Sequence, residues 1–257
     1  MKIISWNVNG IRAAADKGLL KFIEEESPDF LCLQETKAHP DQIEEELRNL
    51  CGVKGYFSSA RRKGYSGTAI FSRHLSDDQI TYGIGIRKFD FEGRFVVAET
   101  DRFKLYNVYF PNGASGEERH MFKQEFLQRF QEHLEKDLKA GKEVIVLGDY
   151  NVAYLDHDVY DTKKLSKVSG FLPEEREWFQ GFIKAGFTDT FRHLHPDEKN
   201  KFSWWSYRER ARSVNKGWRI DHICVSKGLL KSVKRAEVMD AVMGSDHCPV
   251  LLELGEA

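Results

Sequence analysis

Cysteine is scarce in this sequence, and the few cysteines present are not spaced for metal binding. The chain of 257 residues has four cysteines, and none of them forms a Cys-x-x-Cys pair. This absence argues against a structural zinc site and against a disulfide framework. Three of the four lie within or beside apolar strand-like segments, where a thiol behaves as a small hydrophobic group. We therefore expect a reduced protein of the cytoplasm.

Linker sequences and long apolar runs are also missing. No stretch rich in proline, glycine or serine divides the chain, whose apolar fraction of 41% and charged fraction of 31% are ordinary for a globular protein. These features predict one domain over residues 1–257. The apolar segment that follows Met1 is too short for a signal peptide or a membrane helix, so we expect neither of them and no membrane partner.

An excess of basic residues is absent as well. The formal net charge is −1, and this balance argues mildly against a nucleic-acid partner. The distribution of charge is less even than its sum. Six basic residues and one acidic residue lie between positions 201 and 219, and two smaller basic clusters lie at 61–63 and 163–167. Each cluster alone is typical of a solvated surface loop.

What the sequence does contain is a set of short segments that end on carboxylates, amides or a histidine. They occupy residues 2–7, 30–35, 144–151 and 244–247. Short apolar runs predict buried strands, and polar groups just beyond strand ends would meet at one edge of a sheet, where ligands usually bind. Carboxylate and amide oxygens suit Mg²⁺, whereas no spacing of cysteine and histidine here suits zinc.

The overall pattern predicts an α/β protein. Helices are predicted over residues 18–26, 40–50 and 117–140, and from Pro173 to near Gly186. Strands are predicted over residues 2–8, 30–34, 56–59, 67–72, 94–100, 103–110, 144–149, 219–226 and 247–254. Only Asp101 and Arg102 separate two of these strands, which predicts an antiparallel hairpin and excludes a purely parallel sheet.

The polar residues at the first two strand ends are ambiguous when each is taken alone. Asn7 is more typical of a turn than of a ligand. Glu35 follows an apolar run, where a charge is costly unless it is paired or bound to a metal. For Glu35 a functional role and a simple ion pair are about equally well supported by the sequence.

The later strand ends carry stronger signals. Asp149 and Asn151 are two residues apart and would face the same way if the strand continued, with an Asx turn as the alternative. His247 is a candidate phosphate contact, and Asp221 is a candidate partner for it. A carboxylate bonded to one imidazole nitrogen holds the tautomer and favours the charged ring.

Taken together, the motifs resemble those of the exonuclease III family of abasic-site endonucleases, and the resemblance covers essentially the whole chain. The Asn, Glu, Asp-x-Asn and Asp-His elements are shared with a wider superfamily of DNase I-like nucleases, inositol-phosphate phosphatases and sphingomyelinases. Segments 203–208 and 217–219 discriminate better, because they resemble the aromatic wall and DNA-binding loop of the abasic-site enzymes. The motifs are Trp6-Asn7-Val8-Asn9-Gly10, Leu33-Gln34-Glu35-Thr36-Lys37, Asn107-Val108-Tyr109-Phe110-Pro111-Asn112-Gly113, Gly148-Asp149-Tyr150-Asn151, Gly217-Trp218-Arg219-Ile220-Asp221 and Gly244-Ser245-Asp246-His247-Cys248-Pro249.

The resemblance implies a fold and a metal site. The fold would be a four-layer α/β sandwich, in which two mixed β-sheets pack face to face with helices outside and the active site lies at one end. Asn7, Glu35 and Asp246 would form a Mg²⁺ site that also accepts Mn²⁺. Asp149 and Asn151 would approach a second metal position.

The resemblance also implies how the work is divided at a phosphodiester. Asp149 would orient and deprotonate the attacking water, which Asn151 would position. An ionised Tyr109 is the alternative base, although the ordinary pKa of a phenol, near 10, favours the carboxylate.

The phosphate itself would be held by other groups. His247, supported by Asp221, would donate to a non-bridging oxygen, and Tyr109 and Asn112 would hold the phosphate. The basic clusters would grip a duplex through its phosphates, while a small aromatic pocket would accept a bare deoxyribose and reject a nucleotide that carries its base. The DNA-contacting residues implied are Phe171, Trp204, Tyr207, Arg208, Arg210, Arg212 and Trp218.

The expected function is therefore a Mg²⁺-dependent DNA-repair hydrolase that incises duplex DNA 5′ of abasic sites and leaves a 3′-hydroxyl, with 3′→5′ exonuclease and 3′-phosphatase activities. Its partner would be double-stranded DNA with abasic or 3′-blocked sites. We expect a monomer, associated with the nucleoid if the cell is prokaryotic. One alternative is a phosphatase or phospholipid phosphodiesterase of the same superfamily, which would not need basic loops that grip a duplex. A non-catalytic DNA-binding or scaffold protein is the other, and it would not need the catalytic residue types.

Overall fold

Two β-sheets form the centre of the protein. The computed structural model describes residues 1–255, apart from the side chain of Glu209. The strands are β1 (Lys2–Asn7), β2 (Phe30–Gln34), β3 (Asn49–Leu50), β4 (Val53–Ser58), β5 (Thr68–Phe71), β6 (Ile80–Tyr82), β7 (Phe95–Glu99), β8 (Lys104–Tyr109), β9 (Val144–Asp149), β10 (Phe187–Asp189), β11 (Asp221–Ser226), β12 (Val233–Val238) and β13 (Val250–Leu254).

Both sheets are mixed. The first has the strand order β12-β13-β1-β2-β5-β4-β3, and the second has the order β10-β11-β9-β8-β7-β6. One parallel pair lies within each sheet, β1 with β2 and β8 with β9, while the other pairs are antiparallel. The predicted hairpin is confirmed, since β7 pairs with β8 in antiparallel register.

Apolar side chains of the two sheets meet in a shared core. This core includes Ile3 and Ile70 from the first sheet and Leu105, Ile145 and Ile223 from the second, all of them nearly inaccessible to solvent. Side chains alternate between the two faces of a strand, so each sheet also presents an apolar outer face that must be covered. The sheets therefore pack face to face, as the sandwich prediction requires.

Helices cover the two outer faces. On the second sheet, Phe126 and Phe130 of the long helix pack with Tyr106 and Val108, and on the first sheet Leu19 and Phe22 pack with Ile4 and Leu31. The four-layer prediction is confirmed. The helices are α1 (Ile11–Ala15), α2 (Leu19–Glu26), α3 (Glu45–Arg48), α4 (Arg87–Asp90), α5 (Glu117–Lys139), α6 (Thr162–Leu165), α7 (Pro173–Lys184) and α8 (Thr190–Leu194).

One helix prediction was wrong. Residues 40–50 form a short 3₁₀ turn, then α3 and the edge strand β3, rather than a single helix. Ile43 interrupts the helical path with an extended backbone, at φ −124° and ψ 153°. Its side chain is buried in the same core as Leu47 and Leu50. Because an extended residue at 43 lets all three side chains reach this core, tertiary packing overrides the local helical pattern.

Several short outer strands were not predicted. In β12 the buried residues are Val233, Ala236 and Val238, whereas Lys234 and Arg235 are exposed. A register shift between Val233 and Arg235 breaks the alternation that would have indicated a strand. In the described part of the chain, no helix has both the length and the apolar character needed to cross a membrane.

The topology brings several strand ends to one edge. β1 and β2 are parallel, so Asn7 and Gln34 lie opposite each other at their carboxyl ends. In the second sheet Tyr109 lies opposite Asp149, and the antiparallel β11 begins with Asp221 beside Asp149. The polar groups that follow the strands therefore converge, as the sequence pattern predicted.

Candidate active site

A cleft of about 310 Å³ opens where these strand ends meet. It gathers predicted residues from both sheets and from the loops between them. Nine of the predicted residues line it: Glu35, Tyr109, Asn112, Asp149, Asn151, Trp204, Trp218, Asp246 and His247. Asn7 and Asp221 lie directly behind this surface, where they bond to lining residues.

Asp149 and Asn151 are held together by a turn and not by a continued strand. β9 ends at Asp149, and Asn151 adopts a left-handed backbone with φ 51°. The amide N–H of Asn151 donates to Asp149 Oδ1 at 2.8 Å, and its side-chain Nδ2 donates to Asp149 Oδ2 at 3.2 Å. Asn112 Nδ2 then donates to Asn151 Oδ1 at 3.1 Å. The Asx turn that was the structural alternative is thus present, and it also builds the site.

Gly148 gives Asp149 its position. Its φ is 134°, and a Cβ at this residue would lie 1.9 Å from the carbonyl oxygen of Val108 on the neighbouring strand. Only glycine therefore allows β8 and β9 to approach this closely just before Asp149.

His247 lies between two carboxylates. Its Nδ1 is 2.9 Å from Asp221 Oδ2, and its Nε2 is 3.8 Å from Asp149 Oδ2. Ser203 Oγ donates to the same oxygen of Asp221 at 2.6 Å. Burial opposes charge on the ring, but the carboxylates of Asp221 and Asp149 outweigh this effect and raise the pKa of His247 to about 10. A ring that stays protonated at neutral pH is suited to donate to a phosphate oxygen.

The two candidate bases differ in how easily they ionise. Burial raises the pKa of Asp149 to about 7, although the charged His247 acts in the opposite direction. Burial and the nearby carboxylates of Glu35 and Asp149 raise the pKa of Tyr109 well above its ordinary value. A general base works best when its pKa lies near the working pH, so this environment favours Asp149 over an ionised Tyr109.

Glu35 is tied to the same centre through Asn7. Asn7 Nδ2 donates to Glu35 Oε1 at 3.2 Å and to Asp149 Oδ2 at 2.9 Å. Lys37 Nζ lies 2.8 Å from Glu35 Oε2 and also donates to Asn9 Oδ1. Burial favours the neutral acid, but Lys37 holds the pKa of Glu35 below its ordinary value, so the carboxylate is charged.

Asp246 completes the group of acidic side chains around the cleft. Asn9 Nδ2 donates to its Oδ1 at 2.9 Å, and Trp204 Nε1 donates to its Oδ2 at 3.1 Å. Burial raises the pKa of Asp246 and the charged His247 lowers it, with a net decrease. A series of polar contacts runs from Glu35 through Lys37 and Asn9 to Asp246. It places an ammonium group among carboxylate and amide oxygens.

Two sets of donor atoms are chemically suited to a metal ion. One ligand atom each from Asp149, Asp221 and His247 lies within 4.8 Å of the others, so this cluster could hold a metal by distance. The oxygens around Glu35 and Asp246 form the second set, and there the Lys37 ammonium already shows that a cation is accommodated. The second set fits Mg²⁺ better, because it offers oxygens and does not require a charged histidine to lose its proton.

An aromatic wall closes one side of the cleft. The rings of Trp204 and Trp218 are 6.2 Å apart at an interplanar angle of 76°. Phe171 is placed differently from the prediction, because it is buried behind Trp218, with 6.5 Å between ring centroids, and does not line the cleft. Phe171 therefore supports the wall.

The chain, including this cleft, matches a known enzyme family: residues 4–247 correspond to the Endonuclease/Exonuclease/phosphatase family. The chain belongs to this family. It is 43% identical to an exodeoxyribonuclease of Bacillus subtilis over 98% of both chains, and 42% identical to a DNA-(apurinic or apyrimidinic site) endonuclease of Dictyostelium discoideum over 97% of this chain and 69% of that one. Its fold is similar to that of a 3′ phosphatase from Neisseria bound to a product DNA hairpin, with a TM-score of 0.90 and 29% identity over 100% of both chains.

The loop that carries the predicted DNA-binding arginines follows Trp204 of the aromatic wall in the sequence. It forms a 3₁₀ segment, Arg208–Val214, in which Arg208 and Arg210 are exposed, as is the preceding Tyr207. Arg212 is different. Its guanidinium donates to the backbone carbonyls of residues 240, 242 and 245 at 2.6–3.2 Å, and it stacks 4.4 Å from the ring of Trp205. Arg212 thus anchors the loop that leads to Asp246, so its fixed contacts favour a structural role over a DNA contact.

Three residues that bond to the candidate site residues were not assigned a role from the sequence. Ser203 bonds to Asp221, Lys37 bonds to Glu35, and the buried Arg94 donates to the carbonyl of Tyr109 at 2.8 Å. Lys37 carried a usable signal, because it lies two residues after Glu35 within the same motif. Ser203 begins the discriminating segment 203–208, but nothing in the sequence pairs it with Asp221, 18 positions away, and Arg94 carried no signal.

Proposed function

We propose that this chain is a Mg²⁺-dependent DNA-repair phosphodiesterase that incises duplex DNA on the 5′ side of an abasic site and leaves a 3′-hydroxyl. The observation that carries the proposal is the charged His247 between Asp221 and Asp149, at the base of a cleft that two tryptophans flank. The names of the relatives support DNA as the substrate. We place the enzyme in the cytoplasm, as a monomer whose single domain covers residues 1–257.

Hydrolysis would proceed by in-line attack of water on the phosphorus. Asp149 accepts the proton of that water, and Asn151 orients it through the amide that already bonds to Asp149. His247 donates to a non-bridging oxygen, where negative charge increases in the transition state. Asn112 and Tyr109, which also line the cleft, hold the phosphate.

A bound Mg²⁺ would be held by Glu35 and Asp246, with Asn7 beside Glu35. Its chemistry is to offset the negative charge that develops on the leaving 3′ oxygen. Lys37 pairs with the same carboxylate, and its ammonium neutralises part of the charge of Glu35. Contacts within the chain therefore hold the carboxylates of Glu35 and Asp246 in place and keep them charged.

Specificity would arise from the size and shape of the cleft. The Trp204 and Trp218 rings border a volume of about 310 Å³, which suits a deoxyribose without a base. A missing base also lowers the cost of turning the sugar out of the duplex. The same centre would act on 3′ ends, giving 3′→5′ exonuclease and 3′-phosphatase activities, and the similarity to a 3′ phosphatase supports this extension.

The direct test uses two end-labelled duplexes, one intact and one with an abasic analogue. We expect cleavage 5′ of the analogue with Mg²⁺ present, and a product with a 3′-hydroxyl. An uncut abasic duplex, together with hydrolysis of an inositol phosphate or a phospholipid head group, would instead support the phosphatase or phospholipid phosphodiesterase alternative.

A metal titration tests the role of Glu35. Glu35→Gln keeps the shape of the side chain but removes one charge, so we expect about a tenfold higher Mg²⁺ concentration at half-maximal rate. The rate of abasic-duplex cleavage is measured against added Mg²⁺ or Mn²⁺, starting from protein stripped with a chelator. Glu25→Gln on the exposed side of α2 is the control. An unchanged titration would make Glu35 structural, and full turnover of stripped protein would refute the metal requirement.

The salt dependence of DNA binding tests the arginine loop, and the preference for abasic over intact DNA tests the aromatic wall. Replacing both Arg208 and Arg210 with glutamine should weaken binding to any duplex and flatten the decrease of affinity with salt, because fewer phosphates are neutralised. Trp218→Ala should instead reduce the preference for abasic over intact DNA. Binding is measured over a range of salt concentrations, and exposed Arg129→Gln on α5 is the control. Identical behaviour of the two kinds of variant would contradict the assignment.

A further inference from the structure

A buried ion pair lies behind the cleft and has no part in the chemistry described above. Lys123 of α5 and Glu175 of α7 form a salt bridge, and neither side chain has any exposure to solvent. Lys123 Nζ also donates to the backbone carbonyl of Asn151 at 2.8 Å. Taking two charges out of water is costly, so a buried pair of this kind stabilises a fold weakly compared with packed apolar side chains.

Glu175 connects the same pair to a second segment of the cleft. Its Oε2 accepts the backbone N–H groups of Gly170 at 2.6 Å and Leu172 at 3.1 Å, and its Oε1 accepts Ser169 Oγ at 3.2 Å. Ser169 and Gly170 line the cleft. A Cβ at Gly170 would lie 3.2 Å from both the carbonyl of Asn151 and the ring of Trp218, so the position of this segment fixes how closely the wall approaches.

A third segment of the cleft rests on the pair. A Cβ at Gly113 would lie 3.3 Å from Lys123 Cδ and 2.7 Å from Ser169 Oγ, so the loop that presents Asn112 packs directly against both. The turn at Asn151, the loop at Asn112 and the segment at Gly170 lie outside regular helices and strands. No strand ladder therefore sets their mutual spacing. One backbone bond, from the N–H of Ala153 to the carbonyl of Gly170 at 2.7 Å, joins two of them, and the side chains of Lys123 and Glu175 contact all three.

We propose that Lys123 and Glu175 are positioning residues that set the orientation of Asn151 and the distance between the Asn112 loop and the Gly170 segment. This inference rests on the proposed abasic-site activity. The ion pair acts through the backbone of Asn151 on one side and through the pocket wall on the other. It thereby contributes both to turnover and to the preference for a sugar without its base, since small displacements in a site are costly.

The test neutralises both partners at once. Removing one partner would leave an unpaired buried charge, whereas Lys123→Met with Glu175→Gln keeps the volume and leaves an acceptor for Gly170. We expect a melting temperature and KM close to those of the wild type, a kcat lower by at least about tenfold, and a smaller ratio of abasic to intact cleavage. The matched control is Lys104→Met with Asp137→Asn, a half-buried pair that joins the start of β8 to the same helix, and its kcat and cleavage ratio should be those of the wild type.

The outcomes distinguish the positioning role of the ion pair from the proposed abasic-site activity. A double variant with wild-type kcat and wild-type cleavage ratio would overturn the positioning role. If the double variant does not fold, Glu175→Asp is measured in the same way, because it keeps both charges and withdraws the carboxylate from the N–H of Gly170, and wild-type kcat and cleavage ratio there would also overturn it. Failure of the wild-type protein to cut the abasic duplex would reject the proposed function itself, before any variant is compared.

Discussion

Asp149→Asn is expected to lower turnover at an abasic site by at least about 10²-fold while leaving affinity for the abasic duplex within roughly tenfold. The carboxylate accepts donors from Asn7 at 2.9 Å and from the backbone of Asn151 at 2.8 Å. An amide at 149 cannot accept a proton from water, and it turns a donor toward one of these neighbours. Binding should survive, because the duplex is held mainly through its phosphates.

Single-turnover cleavage and equilibrium binding are measured on the same preparations for this variant. Asp156→Asn, an exposed aspartate paired with Arg176, is the control and should match the wild type in both. Loss of DNA binding in parallel with loss of rate, or a large decrease in melting temperature, would show that Asp149 is structural. Turnover within a few-fold of the wild type would remove it from the chemistry altogether.

His247→Ala is expected to have an effect of similar size. The charged imidazole is the one donor that the described part of the cleft places between Asp149 and Asp221, and its loss removes stabilisation of charge in the transition state. We expect turnover at least about 10²-fold lower and abasic-duplex affinity within roughly tenfold. His247→Gln, which keeps a donor toward Asp221, separates folding from chemistry. A folded His247→Gln protein with wild-type turnover would contradict the role.

A double-mutant cycle tests whether Asp221 acts through His247. Asp221→Asn alone should give a milder defect, because the ring remains but loses the partner at 2.9 Å that favours its charge. The double change should cost less than the sum of the single changes if the two residues form one unit. Additive losses would show that Asp221 and His247 act separately. Ser203→Ala should resemble a weaker Asp221→Asn, since its hydroxyl bonds to the same carboxylate oxygen.

Local patterns were sufficient for the strands that build the site. The runs at β1, β2, β8 and β9 are mostly apolar, and almost every residue in them is buried, as is typical of strands covered on both faces. Their polar ends were therefore visible as motifs, and parallel pairing places such ends together. The same local pattern failed at residues 40–50, because the buried positions of Ile43, Leu47 and Leu50 are set by a core that other segments complete.

The sequence by itself determined the family, the mixed sheets and the choice of candidate site residues, since each depends on residue type and short spacing. Only the tertiary structure decided how those residues are held. Asp221 and His247 are 26 positions apart, and Lys123 and Glu175 are 52 apart, so no periodicity relates them. The placement of Phe171 behind Trp218 and of Arg212 on backbone carbonyls was likewise decided by folding. Contacts between distant segments form only when the whole core packs, because that packing compensates the loss of chain entropy.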